Sequence, residues 1–341
     1  MKLILHIGMS KCGSSSLQNY LSSSEFYEIA KLNRIGYAAI DRNGDLLQGS
    51  PLIKKASESN FGYITSCSGT DISAFDKTTQ KNLLRNIASL KIDYDTLILS
   101  NEGWGSNPSH FLSGVFLSNK DLKVTILGFV RPQIEWLNSA WWQWGAWTAA
   151  PFQRWINSNK SKAKWFELFS EWKKKEWVEN VQIKLLTQDI VTDLHTFLGL
   201  NPESSRDRKK INKGLPEPIL RLYQRNRHLR PGPHSSEIDF VLSKHIFFGN
   251  NITPWIMPPH FSEALIQYFR DDNENLLSIL SSDEQKQMKL DDLWWSTEPY
   301  LARAIRPLMA RNLNAKELES ILVKALEAIV SLNQELKNKK V

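Results

Sequence analysis

Residues 2–18 read KLILHIGMSKCGSSSLQ. The apolar, β-rich start at residues 2–7 predicts a buried strand, and residues 14–21 predict a helix. Gly8 and Gly13 lie in the turn between them and allow the backbone a tight path. A loop in this position directs backbone N–H groups, and the positive end of the helix, at an anion. The stretch therefore predicts an anion-binding loop directly after the first strand.

The same alternation of strand and helix continues through about the first 200 residues. Near-continuous apolar strands separated by helices are typical of a parallel sheet covered on both faces. We therefore expect an α/β fold: a three-layer, P-loop-like parallel sheet flanked by helices, with a helical C-terminal extension. In such sheets the ligand binds beyond the carboxyl ends of the strands. The later predicted strands are 96–99, 123–130 and 181–186, and a predicted helix over 190–198 ends at Gly199.

The composition excludes several classes of protein. The chain has 341 residues, of which 41% are hydrophobic, and its 13 Trp, 15 Phe and 8 Tyr provide ample apolar area for a folded core. Cys12 and Cys67 allow at most one bridge, which excludes a disulfide scaffold. The longest apolar run, 124–130, is far short of the ~18–20 residues that a membrane helix needs. The N-terminus is too short and strand-like for a signal peptide, so we expect a cytoplasmic protein without an integral membrane segment.

The charge balance indicates an affinity for anions without naming one. The chain carries 43 Lys and Arg against 36 Asp and Glu, a formal net charge of +7. A positive surplus raises the local concentration of nucleotides, nucleic acid, acidic glycans and anionic membrane surfaces alike. A solvated basic surface without a specific partner has the same composition.

From about Asn201 the composition changes, which predicts a core of residues 1–228 and a helical extension of residues 229–341. Residues 201–216 are polar and basic, and the turn-rich stretch 229–236 forms a connector. Near the C-terminus, apolar residues alternate at spacings of four and three, which is typical of a helix with one apolar stripe. We expect this helix to pack on the core, and a homodimer through the same helix is the alternative. The stripe consists of Leu318, Leu322, Ala325, Ile329, Leu332 and Leu336.

The loop alone leaves more than one function open. Gly8 to Gly13 matches the spacing of a Walker A loop, but Ser14 stands where that motif has its lysine. The lysine lies inside the loop instead, at Lys11. A nucleotide kinase or NTPase would also need a carboxylate near a magnesium-binding hydroxyl, and Glu102 is only a loose match. A serine-rich helix start without a ligand is a further alternative.

The pattern Lys-x-Gly-(Ser/Thr)-(Ser/Thr)-x-Leu-Gln after the first strand resembles the 5′-phosphosulfate loop of sulfotransferases, which use 3′-phosphoadenosine 5′-phosphosulfate (PAPS). The resemblance implies that the loop holds the 5′-phosphosulfate. Serines stand where threonines are common in the family, so the hydroxyl groups are kept. The residues implied are Lys11, Cys12, Gly13, Ser14, Ser15 and Ser16.

A second signature of the family follows a later strand. The family has an arginine at the end of a strand and a serine eight residues on, and Arg131 and Ser139 fit this spacing. Arginine presents a fixed fork of donors to phosphate oxygens. A serine two turns into the following helix reaches the same phosphate from another side. The resemblance implies that the two residues bind the 3′-phosphate, which distinguishes PAPS from ATP.

Weaker similarity extends the resemblance over about residues 1–225. Residues 165–198 are similar to bacterial members that act on carbohydrates and other metabolites. Residues 209–214 resemble a basic loop that closes over the nucleotide in the family. On this similarity Lys210 and Lys213 contact PAPS, and a solvated basic linker is the alternative.

Sulfuryl transfer requires in-line geometry and neutralisation of the charge that grows on the leaving oxygen. Lys11 and the loop N–H groups supply this neutralisation without a metal, so we expect no metal dependence. The acceptor needs a positioned base. Glu102 is the first candidate because it follows a sheet strand, and Asp41 and His6 come next. Where the family often has a catalytic Glu or His, this sequence offers only Asp41.

The tryptophans favour a carbohydrate acceptor over other small molecules that carry a hydroxyl or amine. Nine of the 13 Trp fall between Trp136 and Trp177, and indole faces stack on sugars. Trp141 and Trp142 are adjacent and cannot both face inward on one helix, so we expect at least one to line a surface or cleft. We therefore predict a sulfotransferase that uses PAPS and has no nucleic-acid partner. The alternatives are a P-loop kinase or NTPase and a non-catalytic binder of acidic polymers.

Overall fold

The structure is a computed structural model that describes residues 1–106, 108, 123–187, 189–201, 215–235, 238–239, 242, 253–309 and 312–338. Its strands are β1 (Lys2–His6), β2 (Ile35–Ile40), β3 (Leu46–Gln48), β4 (Thr96–Ser100), β5 (Lys123–Val130) and β6 (Val178–Leu185). They form one sheet in the order β3-β2-β4-β1-β5-β6. Neighbouring strands run parallel except β3, which is a short antiparallel strand at one edge. The predicted α/β fold with a mostly parallel sheet is confirmed.

Helices pack against this sheet, and short 3₁₀ turns extend some of the helices of the chain. α2 and α3 contact β2, whereas α8 and α12 contact β6. In the part of the chain that the structure describes, no helix has the length and apolarity to cross a membrane. The helices are α1 (Ser14–Leu21), α2 (Ser24–Leu32), α3 (Gly49–Glu58), α4 (Gly69–Ala74), α5 (Lys77–Ser89), α6 (Gln133–Gln143), α7 (Phe152–Asn159), α8 (Trp165–Lys173), α9 (Ile190–Leu198), α10 (Glu217–Arg225), α11 (Pro259–Leu277), α12 (Ser282–Leu290), α13 (Glu298–Leu301) and α14 (Ala315–Asn338).

Strand β1 lies inside the sheet, between β4 and β5. Its residue His6 is in register with Ser100 of β4 and Leu127 of β5. Consecutive side chains of β1, such as Leu3 and Ile4, are fully buried. Because consecutive side chains of a strand point to opposite faces, the sheet is covered on both faces here. The segments that follow β1, β4 and β5 all begin at the carboxyl ends of these parallel strands. This end of the sheet is where a ligand is expected.

The chain divides into two compact units that interleave in sequence. The first comprises Met1–Gln133, Lys162–Arg208 and Ile266–Ser296 and contains the whole sheet. The sequence analysis instead placed one boundary after residue 228, and that domain division stays a prediction. The second unit comprises Ile134–Ser161, Lys209–Leu265 and Thr297–Val341.

Helix α14, in the second unit, packs through a narrow face of small side chains. Ala328 is buried, Ile321 and Ala325 are partly buried, and the helix contacts α10. Ala325 belongs to the predicted stripe, so the stripe contributes to this packing only at its margin, and the packing of the helix on the core stays a prediction. The stripe residues left exposed are Leu318, Leu322, Ile329 and Leu332.

Candidate anion-binding site

The loop after β1 ends at the N-terminus of α1, as the sequence predicts. The N-cap residue is Gly13, which has φ 85° and no side chain to cap the helix. The helix itself provides no acceptor for the N–H groups of its first turn, which starts at Ser14. These N–H groups and the positive end of the helix dipole form a site for an anion.

The loop holds its own shape through the carbonyl oxygen of Met9. This oxygen accepts a hydrogen bond from the Cys12 N–H at 2.9 Å and one from the Ser14 hydroxyl at 3.1 Å. Lys11, between them, has φ 65°, a conformation that costs a residue with a side chain about 1 kcal/mol. The Cys12 N–H and the Ser14 hydroxyl proton are thus used inside the loop. The geometry gives no support to a ligand contact from Cys12, and it leaves Ser14 to contribute through its backbone N–H.

The segment after β4 packs directly against this loop. A Cβ at Gly8, which has φ 47°, would lie only 2.8 Å from the Cα of Glu102. A Cβ at Gly105 would lie 2.6 Å from Met9 Sδ, and the Gly105 N–H donates to the Ile7 carbonyl at 2.9 Å. Glycine is required at Gly8 because both its backbone conformation and its neighbour exclude a side chain. Glu102 is therefore held beside the loop.

Arg131 directly follows β5 and also lies against the loop. Its Nη1 donates to the carbonyl oxygen of Lys11 at 3.4 Å. Its backbone N–H hydrogen-bonds to the Cys12 thiol. The two motifs predicted to hold the two ends of the ligand, one around Lys11 and one at Arg131, thus meet at one edge of the sheet.

The Cys12 thiol lies at the point where these groups meet. It is fully buried, and burial raises the pKa of the thiol to about 12. The charges of Arg131, Glu102 and Lys11 all act on it. This interaction is a second sign that the two cations and the carboxylate lie close together.

Tyr63 is a site residue that the sequence analysis did not find. Burial raises the pKa of its phenol, and its hydroxyl hydrogen-bonds with Ser15, while the charge of Glu102 raises the pKa further. The phenol is therefore a protonated donor at neutral pH. It lies at the start of α1, in contact with Ser15 and within the electrostatic reach of Glu102.

Side chains of α1 and of its C-cap residue Ser22 hold the segment around Tyr63 in place. Asn19 Nδ2 donates to the Gly62 carbonyl at 2.9 Å, and the Ile64 N–H donates to Ser22 Oγ at 3.1 Å. Gln18 Nε2 donates to Thr65 Oγ1 at 3.2 Å. No local motif marks such a segment, because its position depends on polar side chains about 40 residues away in the chain.

His6, the third candidate for the base, belongs to the core. Its Nδ1 pairs with Ser100 Oγ at 2.8 Å, and Gln18 Nε2 donates to the same hydroxyl at 3.0 Å. Burial lowers the pKa of His6 to about 3, and its buried Nε2 has no hydrogen-bond partner.

Asp41, the second candidate, organises the turn between β2 and β3. Its Oδ1 accepts hydrogen bonds from the Asn43 N–H at 2.8 Å and the Asp45 N–H at 2.9 Å. These bonds give the carboxylate a structural role. A part in catalysis stays a prediction for Asp41.

Three other predicted contacts are not tested by the geometry described above. Ser139 lies on α6, two turns into the helix and partly exposed, but in the second unit. Its contact with a 3′-phosphate stays a prediction. Lys210 and Lys213 lie outside the described residues.

Two buried indoles of α8 hydrogen-bond to backbone on either side of the site. Trp165 Nε1 donates to the carbonyl of Arg131 at 2.9 Å, and Trp172 Nε1 donates to that of Gly105 at 3.4 Å. Both tryptophans are fully buried. At the N-terminus of α8, the Asp272 carboxylate accepts hydrogen bonds from two backbone N–H groups. Helix α8 thus supports both segments that border the loop.

The expectation that Trp141 or Trp142 lines a cleft is wrong. Both are buried: Trp141 packs edge-on against Phe152 and Trp155, whereas Trp142 Nε1 donates to the Pro254 carbonyl at 2.8 Å. Helix α6 therefore has packed neighbours on adjacent sides. Most tryptophans of the cluster are buried in the same way, namely Trp136, Trp141, Trp142, Trp147, Trp155, Trp165 and Trp172.

No group of three or more His, Cys, Asp and Glu side chains suited to a metal occurs among the described residues. The predicted independence from metals stays a prediction.

Comparisons with known proteins give little independent support for assigning a family or a function to this chain. No family model and no curated protein matches the chain. Among solved structures, a sulfotransferase from Alicyclobacillus acidocaldarius is similar over 83% of this chain and 98% of its own, with 13% identity and a TM-score of 0.40. A likeness of this size assigns neither family nor activity, so the argument for function rests on the site.

Proposed function

We propose that this protein is a sulfotransferase that transfers the sulfuryl group of PAPS to a hydroxyl or amine. One observation carries the proposal: the Arg131 guanidinium donates to the Lys11 carbonyl, in the loop that leads into the N-terminus of α1. One cation in the loop and one after the neighbouring strand suit a ligand with two separate anionic groups.

The groups present fit such a ligand. The first-turn N–H groups of α1 and the Lys11 ammonium are donors for a 5′-phosphosulfate. The Arg131 guanidinium supplies the fork of donors that a 3′-phosphate requires. We assign Ser139 to the same phosphate, on its spacing from Arg131 alone.

The proposed reaction is an in-line displacement at sulfur. The acceptor oxygen or nitrogen forms a bond to sulfur while the bond from sulfur to the 5′-phosphate oxygen breaks. The acceptor proton passes to the carboxylate of Glu102, and Lys11 with the loop N–H groups stabilises the charge on the leaving oxygen. The neutral phenol of Tyr63 donates a hydrogen bond to an oxygen of the transferred group. Glu102 is favoured over Asp41 and His6 because it lies against the loop, whereas those two are engaged elsewhere.

The acceptor is proposed only as a small molecule or glycan that carries a hydroxyl or amine. The tryptophans that favoured a carbohydrate are mostly buried, so that support is withdrawn. A cytoplasmic location also stays a prediction.

Isothermal titration with 3′,5′-adenosine bisphosphate tests the proposal. Native protein should bind it more tightly than adenosine 5′-phosphate or ADP. Lys11→Ala and Arg131→Ala should each weaken binding about 10- to 100-fold, because each removes charged hydrogen bonds to the ligand. Matched controls are Lys31→Ala, on the exposed face of α2, and Arg34→Ala, which loses an exposed ion pair with Asp95 and a hydrogen bond to the Ile92 carbonyl. Native affinity in both site variants would contradict the assignment.

The alternatives give different results in the same assays. A kinase or NTPase would turn over ATP with Mg²⁺ and show no preference for a 3′-phosphate. A non-catalytic binder of acidic polymers would bind heparin or DNA with a steep salt dependence and without nucleotide.

A further inference from the structure

Helix α14 exposes a broad apolar face. Seven of its large aliphatic side chains are between 37% and 61% exposed. At 3.6 residues per turn they cover about half of the helix circumference. The narrower face that contains Ala328 packs within the second unit, as described above. The exposed residues, called here the α14 face, are Leu318, Leu322, Val323, Leu326, Ile329, Val330 and Leu332.

The α14 face matches the apolar area of a stable interface. The exposed aliphatic groups amount to an area on the order of 500 Å². A standard interface buries about 800 Å² on each partner, of which about 60% is apolar. The α14 face alone therefore supplies the apolar part of one such interface, and apolar patches of this size are often functional.

The charge of the helix argues against a membrane surface as the partner. Residues 315–338 contain three Lys and four Glu, so the segment has a net charge of −1, in a chain whose net charge is +7. Helices that lie on membranes are rich in Lys and Arg on their polar face. The excess of basic residues in this chain thus lies outside α14, the helix that would have to contact the membrane.

We propose that a second copy of this chain covers the α14 face, so that the protein is a homodimer with two-fold symmetry. In such a dimer the same patch serves both partners. The α14 face can pack against its own copy because its seven residues are all uncharged aliphatics, so no like charges would meet across the interface. The proposal does not depend on the proposed sulfuryl transfer.

Size-exclusion chromatography with multi-angle light scattering tests the dimer on the full chain. Native protein at micromolar concentration should have twice the monomer mass of 39.3 kDa. Leu322→Glu and Ile329→Glu each place an unpaired charge in the interface and should raise the dissociation constant at least about 100-fold. Ser331→Glu is the matched control, because Ser331 is exposed on the opposite side of the same helix, and it should stay dimeric.

Circular dichroism checks that each variant keeps its helix content, which substitution at exposed positions should preserve. A monomeric native protein would overturn the proposal. So would native-like dimerisation of both Glu variants, or binding of monomeric native protein to neutral phosphatidylcholine vesicles through the α14 face. Loss of nucleotide binding would have no bearing on this result, which separates it from the test of the site.

Discussion

Gly8 is the residue whose side-chain size most directly limits the site. Its φ of 47° already disfavours any other residue, and a Cβ would meet the backbone of Glu102 at 2.8 Å. Backbone cannot rotate away as a flexible side chain can. Gly8 therefore sets the distance between the anion loop and the proposed base.

We expect Gly8→Ala to lower stability by about 2–3 kcal/mol, from the left-handed conformation and the steric clash together. It should also weaken binding of 3′,5′-adenosine bisphosphate, because the clash separates the loop from the Glu102 segment. The matched control is Gly199→Ala, since Gly199 has φ 70° but nothing within 4 Å of its Cβ position. That variant should lose only about 1 kcal/mol and no affinity. Urea unfolding and calorimetry measure both, and equal losses in the two variants would contradict the steric argument.

Glu102 and Asp41 are distinguished by activity rather than binding. As the proposed base, Glu102→Gln should lower kcat by about 10²- to 10⁴-fold while leaving nucleotide affinity nearly unchanged. Asp41→Asn keeps an oxygen for the turn and should lower kcat little. Tyr63→Phe should lower kcat by about 10-fold, the cost of one charge-assisted hydrogen bond. If kcat falls in Asp41→Asn but is unchanged in Glu102→Gln, Asp41 rather than Glu102 is the base.

At the scale of elements, α8 positions the segment that carries Arg131. Trp165→Phe removes the indole donor that holds the Arg131 carbonyl. We expect the affinity for 3′,5′-adenosine bisphosphate to fall about 5- to 20-fold, because Arg131 is no longer fixed. The affinity for adenosine 5′-phosphate should not change, since it lacks the phosphate that Arg131 binds.

The comparison variant for α8 is Trp172→Phe. Its indole makes a longer hydrogen bond, to Gly105, so the variant tests the loss of a buried indole without loosening Arg131. A similar loss for both nucleotides in Trp165→Phe would mean a general structural role. Titration calorimetry with the two nucleotides decides between these outcomes.

The elements that the sequence predicts well are those with a strong local pattern. β1, α1, β5 and α9 occur where expected because each combines an apolar period with a clear end, such as Gly199 in the left-handed conformation. β2 was not predicted, since Gly36 and two alanines weaken its strand pattern. Its glycine is needed because a Cβ there would lie 2.9 Å from the Tyr94 ring. That requirement comes from a residue distant in the chain, which no local pattern contains.

The site was predictable to a similar extent. The Lys11 and Arg131 motifs can be read from the sequence because each is local, and their meeting follows from parallel strand order. Tyr63 was missed because side chains of α1 and of its C-cap residue bring it to the loop. The tryptophans were misjudged because helical spacing on α6 does not reveal neighbours on adjacent sides, which Phe152 and Pro254 provide.

At the scale of the whole molecule, His6 couples stability to pH. Burial holds the pKa of His6 near 3 in the folded state, against about 6.5 when the chain is unfolded. The unfolded state therefore binds a proton first as the pH falls, and stability is lost from about pH 6.5 down to about pH 3. The loss from this one residue is about 3 kcal/mol by pH 4.

His6→Asn should flatten this dependence, because the amide keeps a partner for Ser100 but does not titrate. Urea unfolding at pH 7 and pH 4.5 measures the difference between the two proteins. The variant should be less stable at pH 7 and should lose less on acidification. An identical decrease in both proteins would show that His6 is protonated in the folded state as readily as in the unfolded one.

The position of β1 between β4 and β5 has a consequence for synthesis. The partners of β1 lie about 95 and 120 residues further along the chain. After β1 leaves the ribosome, it therefore cannot pair in the sheet until β4 and β5 have also been synthesised. Until residue 131 has emerged, the glycine loop faces no guanidinium and the nascent chain has no means to retain a bisphosphate. Affinity for the nucleotide should therefore be absent until residue 131 has emerged, rather than grow with each added helix.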